Sequence, residues 1–326
     1  MVLGRALICL LARAMAACST SEPPTVSTDA APVAESASDA GHTTADGAPT
    51  SLDAGGGSQG ELSAQDASSD AAPDCTACSD AAASTFCEQG VGSVPRALRD
   101  ELHLTTFYQK YVDANGVAIL SSAAPSDASL ISACRLVVSM LAKRDDVRKA
   151  LIQNQARFVI IGKDEGTAEV PEYGYGPRPQ ADKDQINQRA RGLGGQVASC
   201  GEENISCLAG DRYRDESICV HEFSHTISTY GVFAADHTFE KRLETAFERA
   251  SASGILDDTY RKSSVQEYWA EGVQDWYDTN ASASPSNGIH NAVDTRPELR
   301  GYDPTLYALI EEVFPPSLDW TDCHAE

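Results

Sequence analysis

The pentapeptide H-E-F-S-H at residues 221–225 restricts the possible folds of this chain more than any other feature. It has the pattern H-E-x-x-H, whose two histidines can act together only on a helix. Residues four apart leave the same face of an α-helix, so His221 and His225 can share one metal ion while Glu222 projects beside them. The pattern therefore predicts a metal-binding helix at about residues 215–230.

The residues around the pentapeptide support such a helix. Asp215 or Ser217 can cap its start, and Gly231 is placed to end it. The apolar residues that would face the core are Ile218, Val220, Phe223 and Ile227. The alternative is an amphipathic helix that carries two surface histidines and a glutamate.

A catalytic zinc ion needs a third protein ligand and one open position. The extended pattern H-E-x-x-H-x-x-G-x-x-H would require a glycine at 228 and a histidine at 231, but the chain has Ser228 and Gly231. We associate the spacing of His237 with no ligand set, and we interpret it as a capping or surface residue. The third ligand is therefore expected elsewhere.

A second predicted helix, at residues 264–279, offers that ligand. Ser264 and Glu267 have the spacing of a capping box, and Glu267 and Glu271 share one face of the helix. Two partly buried carboxylates are unfavourable unless a positive charge lies nearby. One can bind the metal and the other can accept the N–H of a ligating histidine. The alternative is two solvated glutamates.

Residues 216–278 resemble the catalytic domain of the anthrax lethal factor family, which includes the bacterial Pro-Pro endopeptidases. In this family of zinc metallopeptidases an H-E-F-x-H helix is followed by a tyrosine and then by E-[FY]-[FW]-A-E. The chain has H-E-F-S-H at 221–225 and E-Y-W-A-E at 267–271. The resemblance implies a zinc ion with the ligands His221, His225 and Glu267.

The resemblance also implies roles for three further residues. Glu222 corresponds to the general base. Glu271 corresponds to a carboxylate that does not bind the metal itself but can accept a hydrogen bond from a ligating histidine. Tyr260 stands seven residues before Glu267, the spacing of the family's catalytic tyrosine. It would donate a hydrogen bond to the oxyanion; the alternative is an ordinary surface tyrosine.

The charge of the chain excludes one class of partner. The 326 residues include 25 Lys and Arg against 48 Asp and Glu, a formal net charge of −23. Binding of nucleic acid requires clustered cations to neutralise phosphates, so we expect no nucleic-acid partner. No run approaches the roughly 20 apolar residues of a membrane span.

The first eighteen residues are interpreted as a signal peptide. A cation at Arg5, an apolar stretch at 6–12, and Ala16 and Ala17 before Cys18 resemble a bacterial lipoprotein signal. That resemblance implies a lipid anchor on Cys18, membrane contact only through that anchor, and a location in the cell envelope. The alternatives are an ordinary secretory signal, with secretion, and a fortuitous apolar start on a cytosolic protein.

Residues 19–82 are rich in Ala, Ser, Asp and Gly and carry acidic residues without Lys or Arg. Such a segment cannot bury enough apolar surface to offset the entropy of ordering, so we predict a disordered acidic linker. Residues 83–326 show no repeat and no second linker. They are predicted to form a single domain.

Ten cysteines support export. Without Cys9 and Cys18, eight remain, and an even number suits disulfides in an oxidising compartment. We predict one pair, Cys200–Cys207, which would close a short loop. The eight are Cys75, Cys78, Cys87, Cys134, Cys200, Cys207, Cys219 and Cys323.

The pattern of elements indicates an α+β fold. Turn residues Asn115-Gly116 predict a hairpin within 105–119, R-F-V-I-I-G at 157–162 predicts a buried strand, and 166–199 is interpreted as long loops. The helices are predicted at 126–143, 145–155, 215–230, 237–252, 264–279 and 304–314. With the resemblance, this is a mostly helical zincin-like metallopeptidase domain with a small β-sheet.

The leading hypothesis is an exported zinc peptidase that acts on a peptide or protein substrate. The rival is a surface-tethered binding module whose metal is structural, closed by a fourth protein ligand. Glu222 favours catalysis, because a purely structural site has no use for a base there. An interaction protein without metal is disfavoured by the coupled spacing, and neither substrate nor oligomeric state is indicated.

Overall fold

The computed structural model describes residues 85–318 and residue 320. The predicted signal peptide and linker, and therefore the anchor at Cys18, lie outside the described residues.

A mixed six-stranded sheet forms the base of the domain, in the order β1-β2-β3-β4-β6-β5. Strand β3 runs parallel to β4, and β4 runs parallel to β6, whereas the other three pairs are antiparallel. The strands are β1 (Gly92–Ser93), β2 (Lys110–Ala114), β3 (Val117–Ser121), β4 (Arg157–Ile161), β5 (Gly192–Leu193) and β6 (Val197–Gly201).

The predicted hairpin is confirmed as β2 and β3. Asn115 and Gly116 both have positive φ, 54° and 92°, the turn conformation that the Asn-Gly pair favours. The turn leaves Ala114 paired with Val117, which sets the register of the hairpin.

Helices surround the sheet, and the α+β prediction is confirmed. The α-helices are α1 (Arg96–Glu101), α2 (Asp127–Met140), α3 (Asp145–Gln153), α4 (Gln180–Arg189), α5 (Glu202–Ile205), α6 (Ile218–Thr226), α7 (Phe233–Ala235), α8 (Phe239–Ser253), α9 (Val265–Trp276), α10 (Arg296–Tyr302) and α11 (Pro304–Val313). Short 3₁₀ turns lie at Thr167–Glu169, Pro171–Tyr173 and Tyr260–Lys262, and a π-helix at Ile227–Val232.

Both faces of the sheet are buried under separate apolar clusters. Alternate residues of each strand point to opposite sides, so β3, β4 and β6 contribute to both clusters. On one face Phe158 and its neighbours join the main core, where the Phe158 ring lies 5.2 Å from that of Phe223 on α6. The same core continues through Trp269 on α9 to Phe314. On the other face Leu120 and Val159 belong to a smaller cluster. The helix predicted to bind metal is therefore packed directly on the sheet.

Two local predictions are wrong. Residues 166–199, interpreted as long loops, contain α4, β5 and most of β6. Helix α4 buries only Ile186 and so lacks the apolar period that marks a helix in sequence. Gly231 does not end the histidine helix, which continues through the π-helix. A Cβ at Gly231 would lie 2.7 Å from Val147 Cγ1, so this glycine permits close packing instead.

The predicted Cys200–Cys207 disulfide is also wrong. Cys200 on β6 is bonded to Cys219 in the first turn of α6, and Cys87 is bonded to Cys134. Helix α5 fills the short segment after Cys200, whereas β6 and α6 bring the Cα atoms of Cys200 and Cys219 within 5.1 Å. The bond ties α6, the helix predicted to bind metal, to the sheet. Disulfides are typical of proteins outside the reducing cytosol.

Within residues 85–318 and 320, no helix combines the length and the apolar character required to cross a membrane.

Replacement of both Cys200 and Cys219 by alanine should lower the free energy of unfolding by about 3 kcal/mol, because the crosslink no longer restricts the unfolded chain. Urea unfolding of the full chain without reductant measures the difference. Peptide mapping of the unreduced wild type provides the control. Recovery of a Cys200–Cys207 peptide would contradict the observed pairing.

Candidate metal centre

Helix α6 presents the two histidines as the sequence predicts. Ser217 caps the helix, since its side chain accepts a hydrogen bond from the N–H of Val220. His221 and His225 are buried, and their ring centroids lie 4.9 Å apart. The imidazoles therefore leave the same face of the helix, one turn apart.

Helix α9 crosses α6 and brings Glu267 to the same place. Ser264 caps α9 by accepting from the N–H of Glu267 at 3.1 Å. The indole N–H of Trp269 donates to the carbonyl oxygen of Ser224, which ties the two helices together. Glu267 is fully buried, so its carboxylate faces the histidines rather than solvent.

The three side chains form a compact group of metal-ligand type. The Nε2 atoms of His221 and His225 lie 2.9 and 3.5 Å from the same oxygen of Glu267, Oε2. Ligand atoms of all three residues lie within 4.8 Å of one another. The edge of a tetrahedron with metal–ligand bonds of about 2.1 Å is about 3.4 Å long. The observed spacing therefore suits one small divalent cation.

The two histidines and Glu267 stabilise each other's charged forms. Burial raises the pKa of Glu222, although the two histidines partly offset it. Burial also opposes the charge of Glu267, but His225 and the hydrogen bonds from both histidines outweigh it and lower the pKa of Glu267 to about 2. Burial lowers the pKa of His221, whereas the hydrogen bond to Glu267 and the negative charge of that residue raise it. The second effect is larger, so the pKa of His221 lies well above its usual value. Glu267 thus stays ionised, the form that binds a cation.

Glu222 lies beside this group, on the wall of a narrow cleft that His221 and Glu271 also line. The cleft has a volume of about 20 Å³, which is enough for one water molecule. The structure thus places a buried carboxylate next to the three clustered side chains.

The edge strand β5 closes over the site. An added Cβ at Gly192 would lie 2.8 Å from Glu222 Cγ, and one at Gly194 would lie 2.6 Å from the Cβ of His225. Side chains at these positions would collide with the site. Gly192 and Gly194 are therefore required by close approach of backbone to side chain, a reason that sequence analysis missed.

The ring of His221 is held by Gln274, a residue that sequence analysis also missed. His221 Nδ1 lies 2.7 Å from Gln274 Oε1, while Gln274 Nε2 donates to the carbonyl oxygen of Ser217. An amide oxygen only accepts, so Nδ1 donates to Gln274, and Nε2, which faces Glu267, is the nitrogen that a cation would take in exchange for its proton. Gln274 follows Glu267 by seven residues and so lies on the same helix face, which is the signal that could have identified it.

Glu271 lies near the centre without a direct hydrogen bond to a histidine. Its Oε1 is 3.9 Å from His221 Nδ1, and its Oε2 accepts from the side-chain amide of Asn280 at 3.2 Å. Its support of the ligands stays a prediction. His237 is exposed, with Nδ1 3.2 Å from the carbonyl oxygen of Phe233, which agrees with its interpretation as a surface residue.

Tyr260 is buried in the 3₁₀ turn that precedes α9. Its backbone N–H donates to Ile289 at 2.8 Å. The next residue, Arg261, forms a fully buried ion pair with Asp275 of α9, at 2.7 Å. These contacts fix the backbone of the turn against the glutamate helix. A catalytic role of Tyr260 stays a prediction.

Comparisons with known proteins leave the family open. No protein-family model matches the chain, and no curated protein matches it. A solved structure of the Pro-Pro endopeptidase from Paenibacillus alvei is similar over 61% of this chain and 97% of that chain, with 14% identity and a TM-score of 0.40. A likeness of this size does not establish a shared activity.

Gln274→Leu should weaken zinc binding by about 10–100-fold, because His221 loses the acceptor that fixes its tautomer. Competition with a chromogenic chelator measures the affinity. Gln266→Leu, at an exposed position of the same helix, is the matched control and should bind zinc as the wild type does. Equal affinities of the two variants would show that Gln274 does not orient the ring.

Proposed function

We propose that this chain is a zinc-dependent peptidase that hydrolyses peptide bonds of a peptide or protein substrate. The observation that carries this proposal is the convergence of His221, His225 and Glu267 beside the buried carboxylate of Glu222. Two imidazoles and one carboxylate are a donor set of catalytic zinc sites.

The residues present fit a zinc ion. Glu267 Oε1 is buried and has no hydrogen-bond partner among the described residues, an arrangement that costs free energy unless a cation lies nearby. His221 is turned so that Nε2 faces the carboxylate. Bound there by His221, His225 and Glu267, the zinc ion would act as a Lewis acid toward the scissile carbonyl.

Glu222 would act as the general base. Its carboxylate lines a cleft with space for a water molecule, whose proton it would accept and then pass to the leaving amine. Burial raises the pKa of Glu222, which strengthens it as a base and as the later acid. Tyr260 would donate a hydrogen bond to the carbonyl oxygen as that oxygen gains charge.

A structural metal site is the competing hypothesis. It would require a fourth protein ligand in place of an open position. Within residues 85–318 and 320, the group at this point consists of His221, His225 and Glu267, and the buried Glu222 beside them favours turnover.

We further propose that the protein is exported and anchored in the cell envelope through Cys18, with residues 19–82 as a spacer. The two disulfides of the described domain support export. The signal sequence supports the anchor, and secretion of the unanchored protein is the alternative.

Glu222→Gln should lower kcat for peptide cleavage by about 10²–10⁴-fold, because the amide cannot accept the proton of water. Its zinc content should stay at the wild-type level. Cleavage of a mixed peptide library by the full chain, followed by mass spectrometry, measures activity before and after zinc removal with a chelator. Glu240→Gln, on the exposed face of α8, is the matched control. A zinc-loaded wild type that cleaves no peptide would contradict the proposal.

Tyr260→Phe should keep zinc content and melting temperature, because the ring stays in place. Its kcat should fall by about 10²–10³-fold, the usual effect of removing one oxyanion donor. We expect kcat to fall more than KM rises, since the interaction forms mainly in the transition state. Tyr307→Phe, half-buried on α11, is the matched control. Unchanged turnover in Tyr260→Phe would leave the donor unidentified.

A further inference from the structure

A second group of metal-ligand type lies on the far side of Glu271 from the histidine pair. Glu216, Glu271 and His290 each offer a ligand atom, and these atoms lie within 4.8 Å of one another. Glu216 precedes the cap of α6, Glu271 belongs to α9, and His290 comes from the loop before α10. Three separate segments therefore converge on one point.

The loop that carries His290 is well held. The side-chain oxygen of Asn287 accepts from the backbone N–H groups of Ile289 and His290, at 3.0 and 2.8 Å. The backbone of Tyr260 also bonds to Ile289. The His290 side chain is 11% exposed, so its ring is placed in the interior by the surrounding structure.

The polar atoms of this group are closely spaced but not bonded to each other. His290 Nε2 lies 3.9 Å from Glu216 Oε1, and His290 Nδ1 lies 4.0 Å from Glu271 Oε2. Hydrogen bonds of this kind span about 2.7–3.2 Å. His290 Nδ1 is buried and, among the described residues, lacks a hydrogen-bond partner. Groups about 4 Å apart can instead share one ion at bond lengths of about 2.0–2.4 Å.

The buried negative charge of Glu216 and Glu271 also favours a bound cation. Glu216 and Glu271 are buried at 8% and 2% exposure. In the part of the chain that the structure describes, their ion-pair contacts are with histidines, since Arg261 is engaged by Asp275. Asn280 donates to Glu271, but a neutral amide does not compensate its charge. Two buried carboxylates without a cation are unfavourable.

A larger cavity opens at this group. Glu216, His290 and Asn280 line this cavity of about 570 Å³, which His221 and His225 do not line, while Glu216 and Glu271 also line the narrow cleft beside His221 and Glu222. An ion can therefore reach Glu216 and His290 without passing the His221–His225 pair.

We propose that Glu216, Glu271 and His290 form a second divalent-cation site, adjacent to the His221–His225–Glu267 centre and distinct from it. Two carboxylates and one imidazole suit zinc or manganese rather than a soft metal such as copper(I). The site links the start of α6, the middle of α9 and the loop before α10, so the bound ion holds these segments together. The proposal does not depend on peptidase activity.

The test is the zinc content of the full chain, stripped with a chelator, dialysed against zinc and measured by mass spectrometry of the metal. The wild type should hold about two ions, and Glu216→Gln, His290→Ala and His221→Ala about one each. His237→Ala, at an exposed histidine, is the matched control and should hold about two. Melting temperatures measured with the chelator present show whether each variant is folded.

A wild type that holds one ion would overturn the proposal. Two ions in both folded variants, Glu216→Gln and His290→Ala, would overturn it as well. Failure of the proposed peptidase function would look different, because both ions would be bound while no peptide is cleaved.

Discussion

The burial of Glu267 opposite two histidines is the interaction on which the rest of the site depends. A carboxylate that is fully buried is tolerated only when positive charge or hydrogen-bond donors face it. His221 and His225 supply both, at 2.9 and 3.5 Å from one oxygen. This pairing requires α6 and α9 to cross at one place, so the packing of both helices is organised around it.

The scaffold fixes that crossing from several directions. The Cys200–Cys219 disulfide holds the first turn of α6 on the sheet, and the indole of Trp269 bonds to the backbone of α6. Gln274 connects the ring of His221 to the cap residue Ser217, so the helix start and the ligand are positioned together. A ligand held at both the backbone and the far ring nitrogen loses little freedom when it binds a cation.

Glu271 connects the two clusters of ligand-type side chains. One of its oxygens faces His221 and the other faces His290. Its neighbour Asn280 also bonds to Asp275, the partner of Arg261, so a buried polar network runs from the 3₁₀ turn of Tyr260 to Glu271. Charge introduced at either cluster is therefore felt at the other, because a dry interior screens charges weakly.

The sequence by itself determined the two helices of the site and the residues they present. Two local patterns identified them. The pairs His221–His225 and Glu267–Glu271 are each four residues apart, the spacing of one helix face. Ser217 and Ser264 lie at the cap positions of the two helices. The tertiary structure alone decided the Cys200–Cys219 bond, the hydrogen bond from His221 to Gln274, the strand over Glu222 and the convergence of Glu216 with His290. These contacts join distant segments, 53 residues apart for His221 and Gln274. Distant pairing depends on how helices and strands pack, and no local pattern records it.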